Sequence, residues 1–401
     1  MSHSEAEEEQ RHFANVIASF KRYAQYSLSA NNRRRQTIYN LPLEDRDILH
    51  KLGYRAKLDK IDQAILVNAN FLDQMIAQPE IFGQDMETDE YGSPHEPLPE
   101  QGPPGPSHFQ GHSHHEHPHD HGHSHSHGSH SHGSAYKPTE FDMDKIRSTL
   151  KQFVRDWSEE GKLERDVCYE PMKGALLQHF SDRHKLRVLV PGAGLGRLAY
   201  DVASLGFTCQ GNEFSHYMLL ASFFILNRTE SIGKYTIFPY IHSFSNIGAL
   251  DAMLRPIKIP DVLPTALPLQ ANFSLVAGDF EEVYGVTSNA AEPQHGKWDA
   301  ILTCFFIDTA KNIINYLRII HSILAPGGVW INLGPLLWHW ENNTTNDLSV
   351  ELTLEEVKTL ARTMGFTLSN ERTIETTYTN NSQSMLNYIY QAAFWTATKD
   401  S

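Results

Sequence analysis

Cysteine is scarce: Cys168, Cys209 and Cys304 are the only three in a chain of 401 residues. An odd, widely spaced trio excludes a disulfide framework and fits a reducing compartment. Long hydrophobic runs are missing as well. No apolar stretch approaches the ~20 residues a membrane-spanning helix needs, so no membrane partner is expected. Positive charge is in deficit, with 34 Lys and Arg against 48 Asp and Glu, for a net charge of −14. A nucleic-acid binder with a basic surface is therefore not expected either. The first ten residues are acidic and polar, unlike a secretory signal. These absences leave an intracellular profile, cytoplasmic, with the nucleus as a second expected compartment. The hydrophobic content of 40% supports a sizeable core, and the length admits two or three domains.

Three stretches differ in composition. Residues 1–83 read as helical, with Phe13, Val16, Ile17 and Phe20 at helical spacing and a second amphipathic run from Leu58 to Ile76. These helices could pair in a homodimer. Residues 84–138 are dominated by Pro, Gly, His and Ser, and 12 of the 23 histidines lie between His108 and His132. Too little apolar surface is available there to offset ordering entropy, which predicts a disordered linker. A metal-handling role for the tract is the rival reading. It is disfavoured because a catalytic metal site needs fixed geometry, so no metal ligands are assigned.

From 139 onward helical and strand patterns alternate. Asp142 or Asp144 caps a helix whose stripe is Ile146, Leu150, Phe153, Val154 and Trp157. Strands are expected at 187–190, 208–213, 273–277, 298–307 and 329–333, with a helix from 309 to 324. Residues 230–271 read as an irregular insertion. The alternation predicts an α/β, Rossmann-like, doubly wound and mostly parallel sheet. Phe366 to Thr376 and Tyr388 to Thr398 close it with an antiparallel hairpin joined by an Asn-rich turn.

The chemistry concentrates in that third stretch. Pro191-Gly-Ala-Gly-Leu-Gly-Arg197 follows a strand and opens a helix. Gly192, Gly194 and Gly196 let a ligand approach the backbone. Glu213 ends the next strand, where a carboxylate can hold ribose hydroxyls. Arg197 stands where the dinucleotide pattern would require a third-position glycine, which favours S-adenosylmethionine over a pyrophosphate cofactor. Asp279 ends a further strand, placed to bind an adenine amino group, with Phe280 beside it to stack on the ring. Asp308 follows the fourth strand and leads into a helix containing Tyr316; Asp308 or Thr309 could equally be that helix's cap. Clustered aromatics around His339 suggest a pocket wall, and Tyr388 and Tyr390, two apart, share a strand face. Gln152 and Arg155 lie off the apolar stripe of their helix, where Arg155 could pair with a cofactor carboxylate or simply be solvated.

In this order the landmarks resemble a class I S-adenosylmethionine-dependent methyltransferase. The segments V-P-G-A-G-L-G-R-L, F-F-I-D-T-A-x-N-I and G-P-L-L-W-H resemble more narrowly the carnosine N-methyltransferases of the N2227-like family, over residues 139–401. The resemblance implies methylation of the imidazole near nitrogen of carnosine, a β-alanyl-histidine dipeptide, to give anserine. It implies Gln152, Arg155, Gly192 with its turn, Glu213, Asp279, Phe280 and Cys304 as cofactor residues; Arg197 and Tyr316 are counted with them by position. Asp308, His339 and Tyr390 would hold the dipeptide, with Phe305 and Tyr388 as walls and Asp308 as the catalytic group. Protein histidine, which presents the same ring, is the alternative substrate. The His-rich insert departs from the family pattern.

Overall fold

The computed structural model describes residues 3–77, 136–183, 185–268, 271–285, 294–344 and 347–400. The His-rich tract, and nearly all of the expected linker, lie outside the described residues.

Three helices come first: α1 (His3–Tyr39), α2 (Leu43–Lys51) and α3 (Tyr54–Met75). Their apolar faces do not form a core of their own. Phe13, Val16, Ile17, Phe20, Ile61, Ile65 and Leu72 pack into one cluster with Ile146, Leu150, Phe153 and Trp157 of α4 (Glu140–Trp157). The α4 start corrects the sequence reading. Thr139 is the N-cap, and Asp142 stands at N3 in a reciprocal capping box. Of the two acids assigned to the cap, Asp142 belongs inside the first turn, where negative charge faces the free N–H groups, and Asp144 lies beyond it, paired with Arg147.

After α5 (Lys162–His179) the chain alternates through β1 (Arg187–Pro191), α6 (Arg197–Ser204), β2 (Thr208–Glu213) and α7 (His216–Asn227). The insertion at 230–271 is more regular than expected: β3 (Tyr235–Ile237) and β4 (Ile257–Ile259) pair antiparallel around α8 (Leu250–Leu254). Then come β5 (Asn272–Ala277), α9 (Phe280–Tyr284), β6 (Trp298–Cys304), α10 (Ile313–Ile323), β7 (Leu324–Gly334), α11 (Leu354–Thr363), β8 (Phe366–Thr376) and β9 (Tyr390–Lys399).

The main sheet has seven strands in the order β5-β2-β1-β6-β7-β9-β8. The first five run parallel; β9 pairs antiparallel with β7, and β8 antiparallel with β9. Strand order reverses between β1 and β6. A ligand of such a sheet binds beyond the carboxyl ends of the strands at that reversal.

A buried ion network locks the helices around it. Asp261, from the insertion, accepts from Arg165 of α5 at 2.5 Å and from Arg197 of α6 at 2.7 Å. Arg165 also donates to the carbonyls of Arg155 and Ser158, and Arg197 to that of Asp156, so the end of α4 is tied to both helices. Stranding two buried guanidinium groups is costly, and breaking such a pair typically costs about 3–5 kcal/mol. Asp261→Ala is therefore expected to lower unfolding stability by about 3 kcal/mol in a urea titration. A loss below about 1 kcal/mol would show the network to be incidental.

Candidate active site

The turn after β1 is built by its glycines. Gly192, Gly194 and Gly196 have φ of +65°, +55° and +80°, in the left-handed region. A Cβ on Gly192 would stand 2.6 Å from Cδ2 of Phe306, so the turn after β1 touches the turn after β6. Glu213 holds the other flank. Its carboxylate accepts from the N–H of Gly194, Phe214 and Ser215, each at 2.9 Å. Burial raises its pKa, opposed by those three N–H groups. A carboxylate offers about four acceptor positions, so Glu213 shapes the turn and keeps one position for a ligand hydroxyl.

Asp279 and Phe280 each have partners within the protein. Asp279 Oδ1 caps α9, accepting from Glu281 N at 2.7 Å and Glu282 N at 3.3 Å. Phe280 is buried in an aromatic cluster with Tyr284, Phe306 and Tyr316 rather than presenting an open stacking face. Tyr316 stacks on Phe306 with ring centroids 5.1 Å apart. Of these rings, Phe306 is the one that meets the glycine turn, at Gly192. Phe306, which carries the contact with Gly192, was not singled out from sequence; a second aromatic after a buried strand has no signal separating it from core. Arg197 is also reassigned. Its guanidinium is occupied by Asp201, Asp261 and the Asp156 carbonyl, which turns it into the ion network.

On the other side, α4 delivers two buried polar side chains. Gln152 and Arg155 are each 5% exposed, which excludes the solvated reading. Tyr378, from the loop after β8, lies against both, and Tyr169 of α5 also meets Arg155. Gln152 donates to the Tyr378 hydroxyl at 2.8 Å. The Arg155 guanidinium lies 4.6 Å from the Tyr378 ring centroid and donates to Asp156 at 2.9 Å and to the Tyr169 hydroxyl at 2.8 Å. Its Nη2 is buried with no hydrogen-bond partner among the described residues. Cys304 lies beside Arg155, and its contact with Cys168 together with burial holds its thiol pKa well above the ordinary value.

The strand ends then close a pocket lined by Phe305, Asp308, Pro335, Leu337, His339, Tyr378 and Tyr390. Four of the five residues expected to meet the substrate are here. Tyr388 is not: it precedes β9, so the alternation that pairs it with Tyr390 does not extend to it, and it is half exposed. Tyr378 was missed because it lies in a polar loop between two strands. Asp308 is not a helix cap. Asn312 caps α10, accepting from Ile314 N at 3.1 Å, while Asp308 Oδ2 accepts from Leu337 N at 2.9 Å. The Asp308 carbonyl accepts from His339 N at 3.1 Å, which fixes the β6 turn to the β7 turn. Phe305 takes a left-handed φ of +53°, unusual for a bulky side chain and typical of a backbone held by its surroundings at a functional site.

Burial pushes the Asp308 carboxyl up to about 7, partly offset by the Leu337 N–H. The sign of the consequence follows directly. Between the ordinary value of 3.8 and about 7, the folded protein holds a proton that the unfolded chain has released. Stability therefore falls as pH rises through that window. Asp308→Asn escapes the cost. At pH 8 it is expected to be more stable than wild type by about 2–4 kcal/mol, with the advantage vanishing near pH 4. Denaturant titrations at both pH values check this; a gap independent of pH would refute the buried-charge account.

A glycine turn at the reversal point, an acid at the end of β2 and a terminal antiparallel pair define a Rossmann-like methyltransferase. Among solved structures, a SAM-dependent methyltransferase from Methanosarcina mazei aligns over 56% of this chain and 97% of its own at 11% identity and a TM-score of 0.36; the class rests on strand order rather than on that overlay. The family model for carnosine N-methyltransferase matches residues 132–401. Mouse carnosine N-methyltransferase is 50% identical over 272 residues, 67% of this chain and 66% of the mouse protein. The fission yeast enzyme is 47% identical over 266 residues, 63% of this chain and 70% of that protein. Drosophila carnosine N-methyltransferase unmet is 34% identical over 398 residues, 98% of this chain and 80% of that protein. The chain belongs to the carnosine N-methyltransferase family. The matched region spans just under two thirds of the mouse and rat proteins, 66% of each.

Proposed function

We propose that this protein transfers a methyl group from S-adenosylmethionine to the imidazole near nitrogen of carnosine, giving anserine, and acts on related histidine dipeptides. The observation that carries the reading is the pocket in which Asp308, His339 and Tyr390 converge beside the glycine turn. Family membership supports it.

The residues present fit the cofactor. The unpartnered, buried Nη2 of Arg155 suits a carboxylate, the remaining acceptor position of Glu213 suits a ribose hydroxyl, and the glycine turn leaves the backbone bare. When bound, S-adenosylmethionine supplies an electrophilic methyl on a sulfonium. The protein's task is to aim a lone pair at it.

A neutral imidazole has one N–H and one lone pair, and its partners select the tautomer. Asp308 accepts the N–H of the far nitrogen, leaving the near nitrogen with its lone pair free. His339 and Tyr390 fix the ring plane, and Phe305 and Tyr378 wall it in. As the ring gains a methyl it becomes cationic. A buried carboxylate beside it then offsets charge that is mostly absent in the ground state, which lowers the barrier. The elevated pKa of Asp308 is part of the arrangement: the cost of burying its charge is relieved when that cation forms.

Labelled methyl transfer against a panel of imidazole dipeptides tests the reading. Asp308→Asn should cut turnover by about 10²-fold, while calorimetry shows retained cofactor binding. Asp308, at about 7, and the substrate imidazole, near ~6.5, must both be deprotonated. The acid limb of log kcat/KM should therefore approach a slope of two in wild type and one in Asp308→Asn. Near-normal turnover by Asp308→Asn, or methyl on the far nitrogen, would refute this mechanism. Glu213→Gln, which keeps the shape and removes the charge, should weaken S-adenosylhomocysteine binding by about tenfold or more; unchanged affinity in a calorimetric titration would reject Glu213 as a cofactor group.

A further inference from the structure

Glu164, on α5, is neither in the pocket nor at the glycine turn, yet it holds the loop that brings Tyr378 to the pocket and faces Arg155. Its Oε2 accepts from Thr377 Oγ1 at 2.7 Å and from Asn380 N at 3.0 Å, and its Oε1 accepts from Thr379 N at 2.7 Å. The same Oε1 lies 3.6 Å from Nε of Arg155. One carboxylate therefore spends its acceptor capacity on three donors of a single loop and faces the arginine that suits the cofactor carboxylate.

What it holds is not a relaxed turn. Thr379 has φ of +49°, in the left-handed region where a β-branched residue is an outlier. Such a conformation persists only when its surroundings enforce it, and here the Thr379 N–H ends on Glu164. The residue presented by this clamp is Tyr378. Its ring stands 4.6 Å from that of Phe305, its hydroxyl receives the Gln152 amide, and its face lies over Arg155. Tyr378 is thus shared between the cofactor flank and the substrate pocket.

We propose that Glu164 is a positioning residue that acts through Tyr378: it clamps the 377–380 loop so that the Tyr378 ring closes the dipeptide pocket against the bound cofactor. Glu164 touches neither ligand. The effect is on dipeptide capture rather than on methyl transfer, because Asp308, His339 and Tyr390 are held by other contacts. This rests on the functional reading above.

A double-mutant cycle on the full chain tests it. Glu164→Gln retains one acceptor oxygen and loses the other and the charge. It should raise KM for carnosine about tenfold with kcat within about threefold. Calorimetry should show the same loss of carnosine affinity in the presence of S-adenosylhomocysteine, whose own affinity stays within about threefold. Tyr378→Ala, which removes the ring, should also raise KM. Adding Glu164→Gln to Tyr378→Ala should then cost less than threefold more, since residues acting as a unit are not additive. Thr377→Val, which removes a single donor from the clamp, should show the same pattern at about threefold and keeps the test valid if Glu164→Gln folds poorly. Additive effects in the cycle, a fall in kcat with KM unchanged, or a Thr377→Val protein indistinguishable from wild type would each overturn the role of Glu164. A wild-type chain inactive on carnosine would instead overturn the functional reading.

Discussion

Three strand ends meet where the sheet reverses direction, and they can meet only because side chains are withheld at the points of contact. Gly192 lies against the Phe306 ring, and a Cβ on Gly334 would stand 3.2 Å from the Phe305 backbone. Both contacts bear on the same turn after β6, which carries Phe305, Phe306 and Asp308. The close approach forces that turn into a tight, partly left-handed path, shuts water away from Asp308 and drives its carboxyl pKa upward. The glycines after β1 thus bear on the turn that carries Asp308 as well as on their own.

Around that meeting point the protein carries charge in places where burial is expensive. Asp308, Glu213, Arg155, Arg165, Arg197 and Asp261 are all withdrawn from solvent. Most are compensated. Glu213 has three N–H donors, and Asp261 bridges two arginines. Asp308 is compensated least, with a single backbone N–H from Leu337 besides its own local contact, whereas Arg155 is paired with Asp156 and keeps its Nη2 without a hydrogen-bond partner among the described residues. On the function proposed above, the stability given up at Asp308 is what a ring turning cationic beside it returns.

The parallel sheet and glycine turn were readable because strand-turn-helix alternation and three spaced glycines are local signals. Glu213 was placed at the end of a strand and Asp308 in the turn after one because both follow a recognisable strand pattern, and the structure has them there. Other parts were not. The packing of α1 and α3 onto α4 depends on faces far apart in sequence, and amphipathicity alone does not name the partner. Arg155 lies off the apolar stripe, so periodicity left it between a ligand contact and solvent; Tyr378, from a loop far along the chain, and Tyr169 settle that it is buried. Asp142 looked like a cap because acids suit helix starts, but Thr139 three residues earlier fits the reciprocal box better. Tyr378 and Glu164 owe their roles to a loop whose polar composition resembles any surface turn.

The shared core of the N-terminal helices and α4 has a consequence for how the family can vary. Each buried Phe or Ile on α1 and α3 contributes about 1.5–3 kcal/mol toward holding those helices in place. Lengthening a connection between anchored elements costs far less, about 0.6 kcal/mol for each doubling. Sequence inserted between α3 and α4 can therefore grow, shrink or change composition while α4 keeps its seat and Arg155 keeps its aim. A histidine-rich stretch can accumulate at that point in the chain without passing through selection on the chemistry downstream.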